Sequence, residues 1–310
     1  MKPKIYAKSA LTREQASVKA RIGCDALEVQ LLGELIINKA QSIYRPFEQV
    51  FDIEAFSKKY DVDVIHMPIP PGVGDLPLES LIDVKDFPLL IQVFDMAQKF
   101  AEMQGHTVGI VIHSETFYDK LLEEDVWPDL VEQVGWLLGN HKDVVIYLEN
   151  VSPLRGVGKG KQLHLANNFA FDNVEMVKRL REELKTERIF TCLDICHAML
   201  AEKYLTVLYK EVGDVPMPDL SMERYFIENK DVIGLIHLCD IYGSGYGKGR
   251  HGVPFKESTY PKLESILDLY VKYSYECPLT LEVEEQDFSI CDGYAGTKKL
   301  VDRYFDKLSE

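Results

Sequence analysis

Seven short segments of this sequence each end in a side chain that binds protons or cations. "VDVIHMPI" (62–69) carries His66, "TVGIVIHS" (107–114) carries His113 and "DVVIYLEN" (143–150) carries Glu149. "RIFTCLD" (188–194) ends in Asp194, with His197 three residues on, and "VIGLIHLCD" (232–240) carries His237. "GRHG" (249–252) offers Arg250 and His251, and "PLTLEVE" (278–284) offers Glu282. Five of the eight histidines fall at these points, while His106, His141 and His164 lie elsewhere. Each residue alone has an ordinary reading. Asp194 caps the helix that follows, a strand-end histidine is hydrogen-bonded for structure, and Glu149 or Glu282 pairs with a lysine. Brought to one point, three carboxylates and several imidazoles repel one another and lose their hydration. A divalent cation relieves both costs, and mixed Asp/Glu/His ligation suits zinc or manganese.

Such convergence requires elements that all point the same way. The apolar runs are 25–32, 62–69, 107–114, 143–150, 188–194, 232–240 and 278–284, rich in Val, Ile and Leu. That composition predicts strands buried on both faces, as in parallel sheets. Helix-like stretches alternate with them at 51–60, 88–105, 173–186, 260–276 and 296–308. Before the first run, "LTREQASVKARIG" has Thr12 and Gln15 at capping-box spacing and closes on Gly23. With 250–254 as an eighth short strand, the count is that of an α/β fold of the (β/α)8 type, one domain over residues 1–310. Chemistry in such a barrel gathers where the strands end. A doubly wound open sheet is the alternative, but no G-x-G-x-x-G follows the first run.

Composition narrows the function. The chain has 310 residues and net charge −15, from 50 acidic and 35 basic residues. An acidic surface repels polyanions, so duplex DNA is disfavoured as a partner. The segment "MKPKIYAKSALTREQ" has no signal-like apolar core and no run nears membrane-spanning length, so no membrane partner is expected. Six scattered cysteines predict reduced thiols and a cytoplasmic location. Cys192 and Cys239, two residues from Asp194 and His237, read as packing residues.

The ordered set "IHMP" (65–68), "VIHS" (111–114), "YLEN" (147–150), "LDICHA" (193–198), "IHLCD" (236–240), "GRHG" (249–252) and "LTLEV" (279–283) resembles the xylose isomerase-like TIM barrels. Within them it is most similar to the endonuclease IV family. The resemblance implies that His66 and His113 bind one metal and that Glu149 bridges it to a second, completed by Asp194, His237 and Glu282. His197 and His251 would hold a third. The family's third site also uses an aspartate two residues before the last histidine, where this chain has Gly249, leaving Asp240 or a water to fill the place. The implied cofactor is two zinc ions, with a third where that site completes, or manganese in their stead. Sugar isomerases and epimerases of the superfamily share the core Glu149, Asp194, His237 and Glu282, with counterparts of His197 and Arg250 on substrate. They do not generally need His66 and His113.

Two loops reverse the local charge. "PLRGVGKGKQLH" (153–164) carries Arg155, Lys159 and Lys161, and "YGSGYGKGRHG" (242–252) carries Lys248 and Arg250 with Tyr242 and Tyr246. Glycines let backbone N–H groups approach an anion, and the cations add attraction. Lys159, Lys161, Lys248, Arg250 and Tyr246 are therefore the expected contacts of an anionic small-molecule substrate. The reading from sequence is a metal-dependent hydrolase of a phosphodiester, with Glu149, Glu282 and Arg250 as catalytic residues. The alternatives are a metal-dependent sugar isomerase or epimerase, and a non-catalytic barrel that binds a phosphorylated ligand.

Overall fold

A computed structural model describes residues 2–32, 37–38, 43–67, 88–113, 127–151, 154–155, 164–165, 170–212, 219–242 and 250–309. Eight parallel strands form a closed barrel: β1 (Ile5–Ala10), β2 (Ala26–Gln30), β3 (Val62–His66), β4 (Val108–His113), β5 (Val144–Glu149), β6 (Ile189–Asp194), β7 (Ile233–Leu238) and β8 (Leu279–Leu281). Each pairs with its sequence neighbours, and β1 closes on β8 through Ile5–Leu279, Tyr6–Thr280 and Ala7–Leu281. The expected (β/α)8 TIM barrel is the fold, with one strand reassigned. Residues 250–253 do not enter the barrel; they form an antiparallel hairpin with Asp240–Tyr242. The missing strand is "IYAKSA", where Lys8 and Ser9 break the apolar run although both are buried.

Helices pack outside this sheet. The first, α1 (Arg13–Ile22), starts as the sequence predicts: Thr12 Oγ1 accepts from Gln15 N–H, and Gly23 ends it at φ 93°. Gln15 does not reach back to Thr12; its Oε1 accepts the Ala10 N–H instead. The helices that cover most of the wall are Pro88–Gln104, Trp127–Asn140, Ala170–Leu184, Tyr260–Lys272 and Asp292–Lys307. A further helix, α2 (Ile195–Val212), begins directly after Asp194. No helix among the described residues is long and apolar enough to cross a membrane.

The strand period of two sorts side chains between two cores. Outward-facing residues join the large helix-covered core, which includes Cys196 and Cys239. Inward-facing Tyr6, Ala26, Val64, Val111, Cys192 and Leu235 form a small cluster inside the barrel, with Tyr147 against it. This inner plug is the floor on which the site stands. The six cysteines are all free.

Candidate metal centre

Two residues beyond each member of the floor, the same strand face carries a titratable group. Tyr6 is followed by Lys8, Ala26 by Glu28, Val64 by His66 and Val111 by His113. Tyr147 is followed by Glu149, Cys192 by Asp194 and Leu235 by His237, while Glu282 directly follows β8. Register pairs Lys8 with Glu28, His113 with Glu149 and Asp194 with His237, while at other seams a site residue stands beside a floor residue, Glu28 by Val64, His66 by Val111 and Glu149 by Cys192. Seven strands, and the residue after the eighth, thus each send one ionisable side chain toward the same end of the barrel.

Glu149 is the hub, buried with both oxygens in use. Its Oε2 lies 2.9 Å from His66 Nε2 and 2.9 Å from His113 Nε2. Its Oε1 lies 3.2 Å from His237 Nδ1 and 3.7 Å from His197 Nδ1. Burial pushes this carboxyl up, but the charges of His237 and His113 and their hydrogen bonds overcome it and hold it well below the usual range.

The two oxygens of Asp194 are used differently. Oδ1 caps α2 by accepting the His197 N–H at 2.8 Å. Oδ2 is buried and makes no hydrogen bond, though it stands 3.2 Å from His197 Nδ1 and 4.0 Å from His237 Nδ1. Asn150 fixes this corner: its Oδ1 accepts the Asp194 N–H at 2.7 Å, and its Nδ2 donates to the Asp194 carbonyl at 3.0 Å. The Asn150 carbonyl accepts from His197 Nδ1 at 2.9 Å. Burial raises the Asp194 carboxyl; His197 opposes this, while Glu282 and Glu149 add to it.

Lys8 and Glu28 complete the centre and escaped the sequence reading. Lys8 Nζ lies 2.7 Å from Glu282 Oε1 and 3.9 Å from Glu28 Oε1. Glu28 Oε2 accepts from His237 Nε2 at 2.9 Å, which leaves Nδ1 to face Glu149, Asp194 and Glu282. A carboxylate behind the ring is the usual outer partner of a metal-binding histidine. The only signal in the sequence was period two, which places Lys8 on the face of Tyr6 and Glu28 on that of Ala26.

The donor set fits divalent cations on three counts. Glu149, Asp194, His237 and Glu282 each offer an atom within 4.8 Å of the others', and His66, His113 and Glu149 form a second such group. Asp194 Oδ2 and Glu282 Oε2 are buried without hydrogen-bond partners, the latter 2.9 Å from His237 Nδ1 but misaligned for a bond. His66 gives the third count: Nδ1 donates to the Met67 carbonyl at 2.9 Å, and Nε2 faces Glu149 Oε2 at the same distance. A proton or a cation must lie between those two atoms. Six of the eight expected ligands stand in these two groups, and His197 and His251, expected to share a third site, lie together with Cys196 in a separate one.

The expected substrate contacts fare differently. Lys159, Lys161, Lys248 and Tyr246, and with them Gly249, lie outside the described residues, as does the side chain of Arg250. Tyr242 is 72% exposed on the hairpin, beside a cavity that Phe255, Glu284 and Lys299 also line. Asp240 does not supply the missing third-site carboxylate: its Oδ1 binds Lys262 Nζ at 2.5 Å and the Ile241 N–H at 2.8 Å. The sequence matches the xylose isomerase-like TIM barrel model over residues 20–304.

The chain belongs to the xylose isomerase-like TIM barrel family.

Solved structures align with it along nearly their whole length. The IOLI protein with a bound zinc atom is 13% identical at TM-score 0.58, covering 98% of each chain. L-ribulose 3-epimerase is 12% identical at TM-score 0.55, over 99% of this chain and 98% of its own. The 3-keto-D-glucoside 4-epimerase YcjR from E. coli is 12% identical at TM-score 0.54, over 97% of this chain and 100% of its own. At these identities the likeness is one of fold. No curated protein sequence matches the chain significantly.

Proposed function

We propose that this protein is a metal-dependent isomerase or epimerase of a sugar or related polyol. The observation that carries the reading is the convergence of Glu149, Asp194, His237 and Glu282, with the bare oxygens of Asp194 and Glu282 turned inward. The epimerases among the similar structures support it, as does the zinc in the IOLI protein. The hydrolase expected from sequence is thereby moved to second place.

Glu149, Asp194, His237 and Glu282 would hold one divalent ion, zinc or manganese, which supplies a Lewis acid for a carbonyl and its neighbouring hydroxyl. The protein's own groups do the rest. Lys8 occupies Glu282 Oε1 and so presents Oε2 to the centre. Glu28 holds the His237 ring at Nε2. Glu149 and Glu282, both kept ionised at neutral pH, move the proton: one carboxylate takes it from carbon, and it returns to the adjacent carbon or to the opposite face of the same one. The basic loops 153–164 and 242–252 would admit a substrate that carries negative charge, such as a sugar phosphate.

A second reading, phosphodiester hydrolysis, is favoured by one observation: His66 and His113 both lie 2.9 Å from Glu149 Oε2, giving a second three-donor group that shares Glu149. Two ions sharing a carboxylate suit in-line displacement at phosphorus. The test runs the metal-loaded protein on ketoses, aldoses and their phosphates in deuterium oxide, and on model diesters. Deuterium entering a sugar carbon, lost in Glu149→Gln, supports the isomerase. Diester cleavage lost in His113→Ala, with no exchange into any sugar, would replace it.

A further inference from the structure

The helix Asp292–Lys307 carries a glycine that its own packing does not call for. Gly296 stands in the second turn, where glycine weakens a helix relative to alanine. Beyond its own turns of helix, a Cβ on Gly296 would meet nothing within 4 Å among the described residues. The position lines a cavity of about 670 Å³ that none of the metal-centre residues lines, bounded also by Val253, Phe255 and the loop that follows Glu282. A glycine on such an open helix face permits the close approach of a second backbone.

Three of the eight exposed large hydrophobic side chains among the described residues stand at this place: Tyr242, Phe288 and Ile290. Tyr242 and Ile290 line the cavity, and Phe288 precedes Ile290 by two residues in a turn. The turn is firmly built. Asp287 accepts the Ser289 N–H through Oδ1 at 2.8 Å, and its carbonyl accepts the N–H groups of Ile290 and Cys291 at 3.3 and 3.0 Å. Glu285 anchors the same loop to the helix by accepting the N–H groups of Gly293 and Tyr294. Phe288 and Ile290 are thus fixed where a partner would cover them, which lowers the ordering cost of binding. Exposed apolar side chains rimmed by charge mark a protein contact.

Charge identifies the partner. Asp292, Gly296 and Lys299 all line the cavity, four and then three residues apart, and so form one stripe along the helix. Asp292 and Lys299 have no ion-pair partner among the described residues. Under a two-fold axis at Gly296 the stripe is complementary to itself, because Asp292 of each copy faces Lys299 of the other. A partner of uniform charge would match only one end. We propose that this face is the contact between two copies of the chain, with their helices Asp292–Lys307 crossing antiparallel at Gly296 and the Phe288–Ile290 turn of each seated in the cavity of the other. The contact lies beside the metal centre and does not depend on the chemistry there.

Sedimentation equilibrium of the full chain at micromolar concentration tests the assignment. The parent sediments as a dimer. Gly296→Leu, which has room in the single chain, sediments as a monomer with an unchanged circular-dichroism spectrum. Lys299→Glu and Asp292→Lys each weaken the dimer about tenfold or more, since like charges then face each other twice across the axis. An equimolar mixture of those two variants dimerises again, because each chain supplies the charge that the other lacks; a misfolded variant could not do so. A parent that stays monomeric and leaves the face to another partner, a Gly296→Leu chain that still dimerises, or a mixture no tighter than its components would overturn the proposal.

Discussion

Lys8 Nζ sits 2.7 Å from Glu282 Oε1, joining the first barrel strand to the residue that follows the last across 274 positions of sequence. The contact is buried, and Glu28 stands 3.9 Å behind it, so one ammonium serves two carboxylates in a layer that also holds Glu149 and Asp194. Removing that charge leaves Glu28 and Glu282 to share the His237 ring, 2.9 Å from each. Burial pulls the Lys8 ammonium down, yet Glu282, Glu28 and Glu149 together hold it well above the usual lysine range.

Lys8→Met is expected to destabilise the metal-free protein by about 3–5 kcal/mol, the usual cost of leaving a buried charge unpaired. Zinc should recover part of that loss, because a cation at Glu282 supplies the missing positive charge. Urea unfolding with and without a chelator measures both quantities. A variant as stable as the parent in chelator would show that the pair contributes nothing.

The metal-free chain should carry opposite pH limbs from different residues. Burial raises Glu149 and Glu282, but His237 with His113 at the first, and Lys8 with His237 at the second, hold both well below the ordinary range. Their contribution is present above about pH 4.3 and is lost as pH falls through their depressed folded values. For His237, burial opposes the charge, while Cys192, Glu28 and Glu149 outweigh it and raise the ring well above its ordinary value. Its contribution is present below about pH 6.5 and is lost as pH rises through the raised folded value. Stability measured in chelator should therefore decline on the alkaline side, and His237→Asn should flatten that limb. A parent whose unfolding midpoint is level above neutrality contradicts the assignment.

Asn150→Ala removes the clamp on Asp194 at both its N–H and its carbonyl. Loss of an outer partner of this kind costs about 10–100-fold in metal affinity. The unpaired Asp194 backbone adds a stability loss of about 1–3 kcal/mol. Competition with a chromogenic chelator reads the affinity. Equal affinity in the variant would mean that Asp194 holds its place without Asn150.

The floor makes a prediction of its own. A Cβ on Gly109 would meet the Tyr147 ring at 2.0 Å, and one on Gly234 would meet it at 2.5 Å. Gly109→Ala should cost about 1–3 kcal/mol through overpacking. Replacing Tyr147 by Leu in the same chain should return part of it. A double-mutant cycle from thermal unfolding checks the coupling, and additive effects would count against the ring as the cause.

How much of this was legible in sequence follows from what each residue says locally. His66, His113, Glu149, Asp194 and His237 each close an apolar run, so strand and ligand announce one another. Lys8 and Glu28 carry no such mark. A lysine inside "IYAKSA" and a glutamate inside "DALEVQLL" have the pattern of solvent-facing residues, and only closure of β1 against β8 makes partners of Lys8 and Glu282. Residues 250–254 read as a strand and 250–253 form one, but pairing decides membership of the barrel, and they pair with Asp240–Tyr242. The sequence reading leaned toward hydrolysis on His66 and His113, which do form a second donor group with Glu149; the proposed ranking rests instead on the tetrad and on the epimerases among the similar structures.

Closure between β1 and β8 also has a consequence during synthesis. Three histidines and Glu149 leave the ribosome long before Glu282 does, yet the pocket they share lacks a wall until the final strand emerges and seats beside the first. Any cation held at the tetrad would then be captured late in the life of the nascent chain.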